Sequence, residues 1–134
     1  MTMADALDRV SKKYHFPMEK RGDVTTFRIN AEHGKYDAYC MQMEEEQLFL
    51  LFIDMNIKIP ADRMGEMALF LSEINRTLKN GCFIVCRDTG DVILRFSQYI
   101  YGSDTDGEEQ AERIILTAGV LADGSYERIL KRLL

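Results

Sequence analysis

The sequence predicts one α+β domain over residues 1–134, an antiparallel sheet with helices in the order α-β-β-β-α-β-β-α. Three observations lead there. "DVTTFRIN" and "KYDAYCMQM" alternate in polarity with the period of two that a half-buried strand requires. The stretch after Pro60 spaces apolar residues three and four apart, as a helix does. Strands and helices also come in blocks rather than in strict alternation, which favours an antiparallel sheet over parallel crossovers.

In chain order, Ala6, Leu7 and Val10 recur at helical spacing, so a first helix is expected from about residue 3 to 13, ended before Pro17. In "DVTTFRIN" Phe27 and Ile29 share one face, Thr26 and Arg28 the other. In "KYDAYCMQM" Tyr36, Ala38 and Cys40 oppose Tyr39, Met41 and Met43. Glu44, Glu45 and Glu46 predict a charged turn. "QLFLLFIDM" is apolar on both faces, the mark of a central strand.

Pro60 suits the first turn of the next helix, where its missing N–H costs nothing. Met64, Met67, Ala68, Leu71, Ile74 and Leu78 form its apolar stripe, and Asn80-Gly81 supplies the stop. "CFIVC" and "VILRF" predict two more strands. A last helix follows the polar stretch "YGSDTDGEE", in which Asp106 and Glu109 have capping-box spacing. Asp123-Gly124-Ser125 predicts a kink or restart within it.

The chain has 134 residues, 46% hydrophobic and 29% charged, enough for one buried core without disulfides or metals. Its net charge of −5 argues against a nucleic-acid partner, because neutralising phosphates needs a dense cationic face. No apolar run approaches the length of a membrane span. Acids at Asp5 and Asp8 make the N-terminus unlike a signal peptide, and three cysteines suit free thiols in a reducing compartment. A cytoplasmic protein is expected.

Three motifs invite chemistry and do not sustain it. On one strand, Cys82 and Cys86 would lie about 13 Å apart, beyond the roughly 7 Å a disulfide allows and beyond the reach of one zinc ion. They are expected to be buried structural thiols, as is Cys40. Asp88-Thr89-Gly90 spells the aspartic-protease triplet, but Arg87 before it and Asp91 after it do not fit that site. Between two β-rich runs it predicts a hairpin turn, with Gly90 supplying a positive φ. "GSDTDGEEQAER" would put Arg113 where a calcium loop needs a bidentate glutamate. No catalytic residue, cofactor site or metal site is expected.

The text from Ile59 to Arg95 resembles the YbjN-like family, whose members are grouped as bacterial sensory-transduction regulators. The likeness is carried by Ile59-Pro60 opening a helix, by "EINRTLKNGCF", where Ile74-Asn75 ends the helix and Gly81-Cys82-Phe83 starts a strand, and by "DTGDVILR". It implies the type III secretion chaperone-like fold, whose secretion chaperones are small, acidic, usually dimeric and bind partner segments without catalysis.

The expected function is therefore a non-enzymatic interaction module, a homodimer that binds and stabilises or regulates a partner protein. Eight methionines suit adaptable surfaces, although most fall at core positions. The alternative is a ligand-binding sensory domain with a pocket between helices and sheet. Gly65, Leu69, Ser72 and Arg76 share a line of the central helix away from its core stripe, with small residues that would admit a second helix. They form the expected dimer contact.

Overall fold

The computed structural model describes residues 3–43, 47–100 and 104–134. Six antiparallel strands run β1 (Met18–Arg21), β2 (Val24–Asn30), β3 (Lys35–Met43), β4 (Leu48–Lys58), β5 (Gly81–Val85) and β6 (Asp91–Tyr99). Their spatial order is β1-β2-β3-β4-β6-β5. Helices α1 (Met3–Tyr14), α2 (Met64–Asn75) and α3 (Asp104–Leu133) complete the fold. The expected α+β order holds, with one strand added at the front. The predicted turn at Glu44, Glu45 and Glu46 lies outside the described residues.

That added strand, β1, reads "MEKR" and is exposed but for Met18, so it has no alternation to detect. It is paired through the turn at Gly22, whose φ is +62°. Helix α1 ends where expected. His15 takes the left-handed conformation (φ 56°) and the Phe16 N–H bonds the Ser11 carbonyl at 3.2 Å, the six-to-one closure of a Schellman motif.

Strand β4 is central, between β3 and β6. Leu51 pairs with Cys40 on one side and Phe96 on the other; Ile53 pairs with Ala38 and Leu94. These residues all point to the helices and are buried. Met67, Leu71 and Ile74 of α2 and Ala111, Ile114, Ala118 and Ile129 of α3 close the core over them.

Three expectations about the helices need correction. A single 3-10 turn over Ala61–Arg63 precedes α2, which stops at Asn75, as the family resemblance implies, rather than reaching Asn80 as the apolar spacing predicts. The Thr77 N–H and hydroxyl both bond the Ile74 carbonyl, so the last turn tightens and Leu78 packs from the loop beyond. Ala68, placed in the core stripe, is exposed. Helix α3 begins at Asp104, two residues before the expected cap, and runs unbroken through Asp123-Gly124-Ser125. Ala122 and Ser125 are buried there and Asp123 is bonded to the sheet, which outweighs the roughly 1 kcal/mol a helical glycine costs.

Asp88-Thr89-Gly90 is the β5–β6 turn. The Cys86 N–H bonds the Asp91 carbonyl and the Gly90 N–H bonds the Cys86 carbonyl, both at 2.8 Å. Gly90 has φ +80°, and a Cβ there would sit 2.4 Å from the Ile59 carbonyl oxygen. Glycine is required twice over.

Candidate protein-interaction surfaces

The helices cover one face of the sheet. On the other, the register sets Val24, Met41, Leu50 and Ser97 side by side, then Thr26, Tyr39, Phe52, Arg95 and Cys82 in the next row. An antiparallel sheet can keep one face in water, and such a face is normally polar. Here its centre is apolar, and Tyr39 (41%), Met41 (37%), Ile84 (41%) and Tyr99 (51%) expose large side chains. Tyrosine, methionine and arginine around an apolar centre is the composition of a protein interface.

Both sheet edges carry features that hinder an added strand. At β5, the Asn75 carboxamide occupies the outer edge of Phe83: it accepts from the Phe83 N–H at 2.7 Å and donates to the Phe83 carbonyl at 3.0 Å. Asn75 thus stands in for the peptide group of a missing neighbour. This gives a physical reason for asparagine at the end of α2, which its spacing alone did not. At the far edge β1 is four residues long and charged, a common protection against edge pairing.

Gly65, Leu69, Ser72 and Arg76 do lie together on the outward side of α2. All four are exposed, Leu69 to 73%. Nothing approaches within 4 Å of a Cβ added at Gly65. The line offers one large apolar side chain; Arg76 pairs with Glu73 at 3.2 Å.

On the helix side, Leu116 and Val120 of α3 stand exposed between two shallow grooves. One, of about 460 Å³, is walled by Phe16, Phe27, Ile29 and Ile115. The other, of about 610 Å³, is walled by Leu78, Phe96 and Leu121.

A polar clamp ties α3 to the β2–β3 turn. Asp123 accepts from the buried Tyr36 hydroxyl at 2.7 Å and from the His33 N–H at 3.0 Å, and its other oxygen meets His33 Nδ1 at 3.0 Å. Burial pushes the Asp123 carboxyl up, but these hydrogen bonds together outweigh it and hold it below the usual carboxylate range. The bond to Asp123 raises the His33 imidazole, despite some desolvation. Glu32, His33 and Asp123 bring one ligand atom each within 4.8 Å, but Asp123 is already saturated by the clamp.

The thiols differ from expectation. Cys40 is buried and its pKa is pushed up by desolvation. Cys82 and Cys86 are only half-buried. Cys86 lies at the mouth of the β5–β6 turn, where hydrogen bonds from the Thr89 hydroxyl, then the Thr89 and Asp88 N–H groups, lower its pKa. Cys82 lies on the open face beside Arg95 and Cys86 lies beyond the end of β5, so neither is covered by the helices. All three cysteines are free.

Among the described residues no helix is long and apolar enough to cross a membrane. Comparison with curated proteins gave no match. Among solved structures, a chain of the ExsC–ExsE complex is similar at TM-score 0.60 and 14% identity, over 95% of this chain and 96% of that one. YbjN from E. coli is similar at TM-score 0.57 and 14% identity, over 90% of this chain and 91% of that one. These likenesses establish the type III secretion chaperone-like fold. The sequence matches the model of the YbjN family, described as "Putative bacterial sensory transduction regulator", over residues 4–131. The chain belongs to the YbjN family.

Proposed function

We propose that the protein is a non-enzymatic interaction module of the cytoplasm, a homodimer that binds a partner protein and stabilises or regulates it. One observation carries this reading: most exposed large apolar side chains gather on two opposite sides of the molecule. Tyr39, Met41, Ile84 and Tyr99 lie on the open sheet face; Tyr14, Leu116 and Val120 border the grooves of the helix side. Scattered leucines need no explanation, but contiguous patches mark contact surfaces. Two patches suit a protein that meets both its own copy and something else. A chain of a two-protein complex has the same fold, which is consistent with such a role.

Native mass spectrometry of the purified protein tests it. Two chains without a bound metabolite are expected. Single chains carrying a small molecule would overturn the reading and favour a ligand sensor, for which the groove of about 460 Å³ beside α3 is large enough.

The dimer contact has two candidates. Gly65, Leu69, Ser72 and Arg76 are one; Leu69→Lys should then give folded monomers. The open sheet face is the other. A stable contact buries about 800 Å² per partner, which a line with one large apolar residue reaches only with help from its surroundings.

A further inference from the structure

The open face has an unusual charge arrangement. Glu19 pairs with Arg21 at 2.8 Å, Arg28 with Asp37 at 3.3 Å and Lys58 with Asp91 at 3.8 Å. Two charges beside its apolar centre have no such partner among the described residues. Arg95 is exposed between Phe52 and Cys82. Asp54 accepts the Asn56 N–H at 2.9 Å and meets no cation. Moreover Asp54 stands directly opposite Asp37, a like-charge pair across two strands of which only Asp37 forms an ion pair among the described residues, with Arg28. Although Asp54 and Arg95 are diagonal neighbours, neither forms an ion pair among the described residues.

These two residues occupy opposite corners of a four-residue cell. Phe52 pairs with Arg95, Asp54 pairs with Ile93, and the diagonal from Phe52 to Ile93 is apolar. A two-fold axis laid in the plane between two sheets, along that diagonal, exchanges the two charged corners. We propose that the open face is where two copies of this chain meet, with Arg95 of each over Asp54 of the other. Phe52 then meets its own copy, as does Ile93, and Tyr39 falls over Leu50. The strands of the two sheets cross steeply, one of the two established ways sheets pack.

A second copy is the occupant because a two-fold contact demands that residue i meet j and j meet i. One cation and one anion placed symmetrically about an apolar line satisfy that demand. They leave no unpaired charge in the contact, even though the chain as a whole carries −5. Strand addition at the β5 edge is hindered, since Asn75 occupies the backbone groups of Phe83. The inference rests on the homodimer reading and specifies its surface.

The test is sedimentation equilibrium on wild type, R95E and D54K, separately and mixed. Wild type should be dimeric, and each variant alone monomeric with an unchanged circular dichroism spectrum. An equimolar mixture of R95E and D54K should recover dimers, because both crossing points then hold opposite charges. Dimers of either variant as stable as wild type's, or a mixture that stays monomeric, would overturn the proposal while leaving the homodimer standing. Wild type monomeric at tens of micromolar would overturn both. Should a charge reversal prevent folding, R95Q and D54N replace it; each should weaken the dimer by at least about tenfold, and an unchanged dissociation constant counts against the proposal.

Discussion

Leu51 and Phe52 are adjacent on β4, in the same central strand and of similar hydrophobicity, yet they serve different purposes. Leu51 is fully buried against the helices; Phe52 lies half-buried on the open face, beside Tyr39 and Arg95. The same contrast runs along the strand: Phe49, Leu51 and Ile53 turn inward, Leu48, Leu50 and Phe52 outward. Burial in the first set is complete within one chain. In the second it is uneven, with Leu50 buried but Leu48 and Phe52 only half-buried, and this is the face that the proposed self-association would cover.

The largest expected effect separates the two faces directly. Leu51→Ala should cost about 2–5 kcal/mol of stability, the range for a buried leucine whose cavity cannot collapse. Phe52→Ala should cost the isolated chain under about 1 kcal/mol and act instead on self-association. Urea denaturation read by circular dichroism, at concentrations too low for dimers, checks both. Equal losses would erase the distinction.

Next in size is the edge. Asn75→Ala leaves the Phe83 N–H and carbonyl without their partner, a loss of about 1–3 kcal/mol. It also exposes the edge of "GCFIV", an uncharged β-forming segment, so the variant should aggregate faster on heating than wild type. A variant as stable and as soluble as wild type would show that the carboxamide is incidental.

The clamp on the covered side gives a smaller effect, with a pH signature. The folded-state pKa of His33 is raised, so its contribution is complete below about pH 6.5 and is lost as pH rises through the raised value. Asp123 has a lowered pKa, so its contribution is present above about pH 4 and is lost as pH falls through the lowered value. Glu32, Tyr36 and Glu127 are the other titratable groups facing His33 and Asp123, and Tyr36 is held protonated by burial and by its bond to Asp123. Between pH 6 and 8 the melting temperature of wild type should fall relative to that of His33→Gln. A constant difference between them would contradict the assignment.

The smallest effect belongs to the turn. Asp88 is exposed and contributes its backbone there, so Asp88→Asn should change stability by less than about 0.5 kcal/mol and leave association intact. A peptidase activity abolished by that change would overturn the turn assignment.

Much of the covered face could be read in the sequence, because burial on one side writes a period into the chain. Tyr36, Ala38 and Cys40 are buried as their alternation predicts, and Met67, Leu71 and Ile74 follow from helical spacing. Strand β1 escaped because "MEKR" is wet on nearly every side and carries no period. The end of α2 escaped the periodicity, though not the family resemblance, because Leu78 continues the helical spacing while packing from a loop. The break expected at Gly124 is overridden by contacts made far away in sequence, through Asp123 to Tyr36 and His33.

The open face was half legible. "QLFLLFIDM" announced a strand apolar on both sides, but period alone cannot say whether a second layer comes from the same chain or from another. Arg95 and Asp54 are 41 positions apart and become neighbours of one cell only through the β4–β6 register. Local pattern holds no trace of that placement.

Sedimentation equilibrium of Phe52→Lys tests the division between the two faces most directly. A lysine at the centre of the open face should leave the fold intact and the protein monomeric at concentrations where the proposed wild-type dimer forms. A folded variant that dimerises as tightly as wild type would contradict the assignment of this face to association.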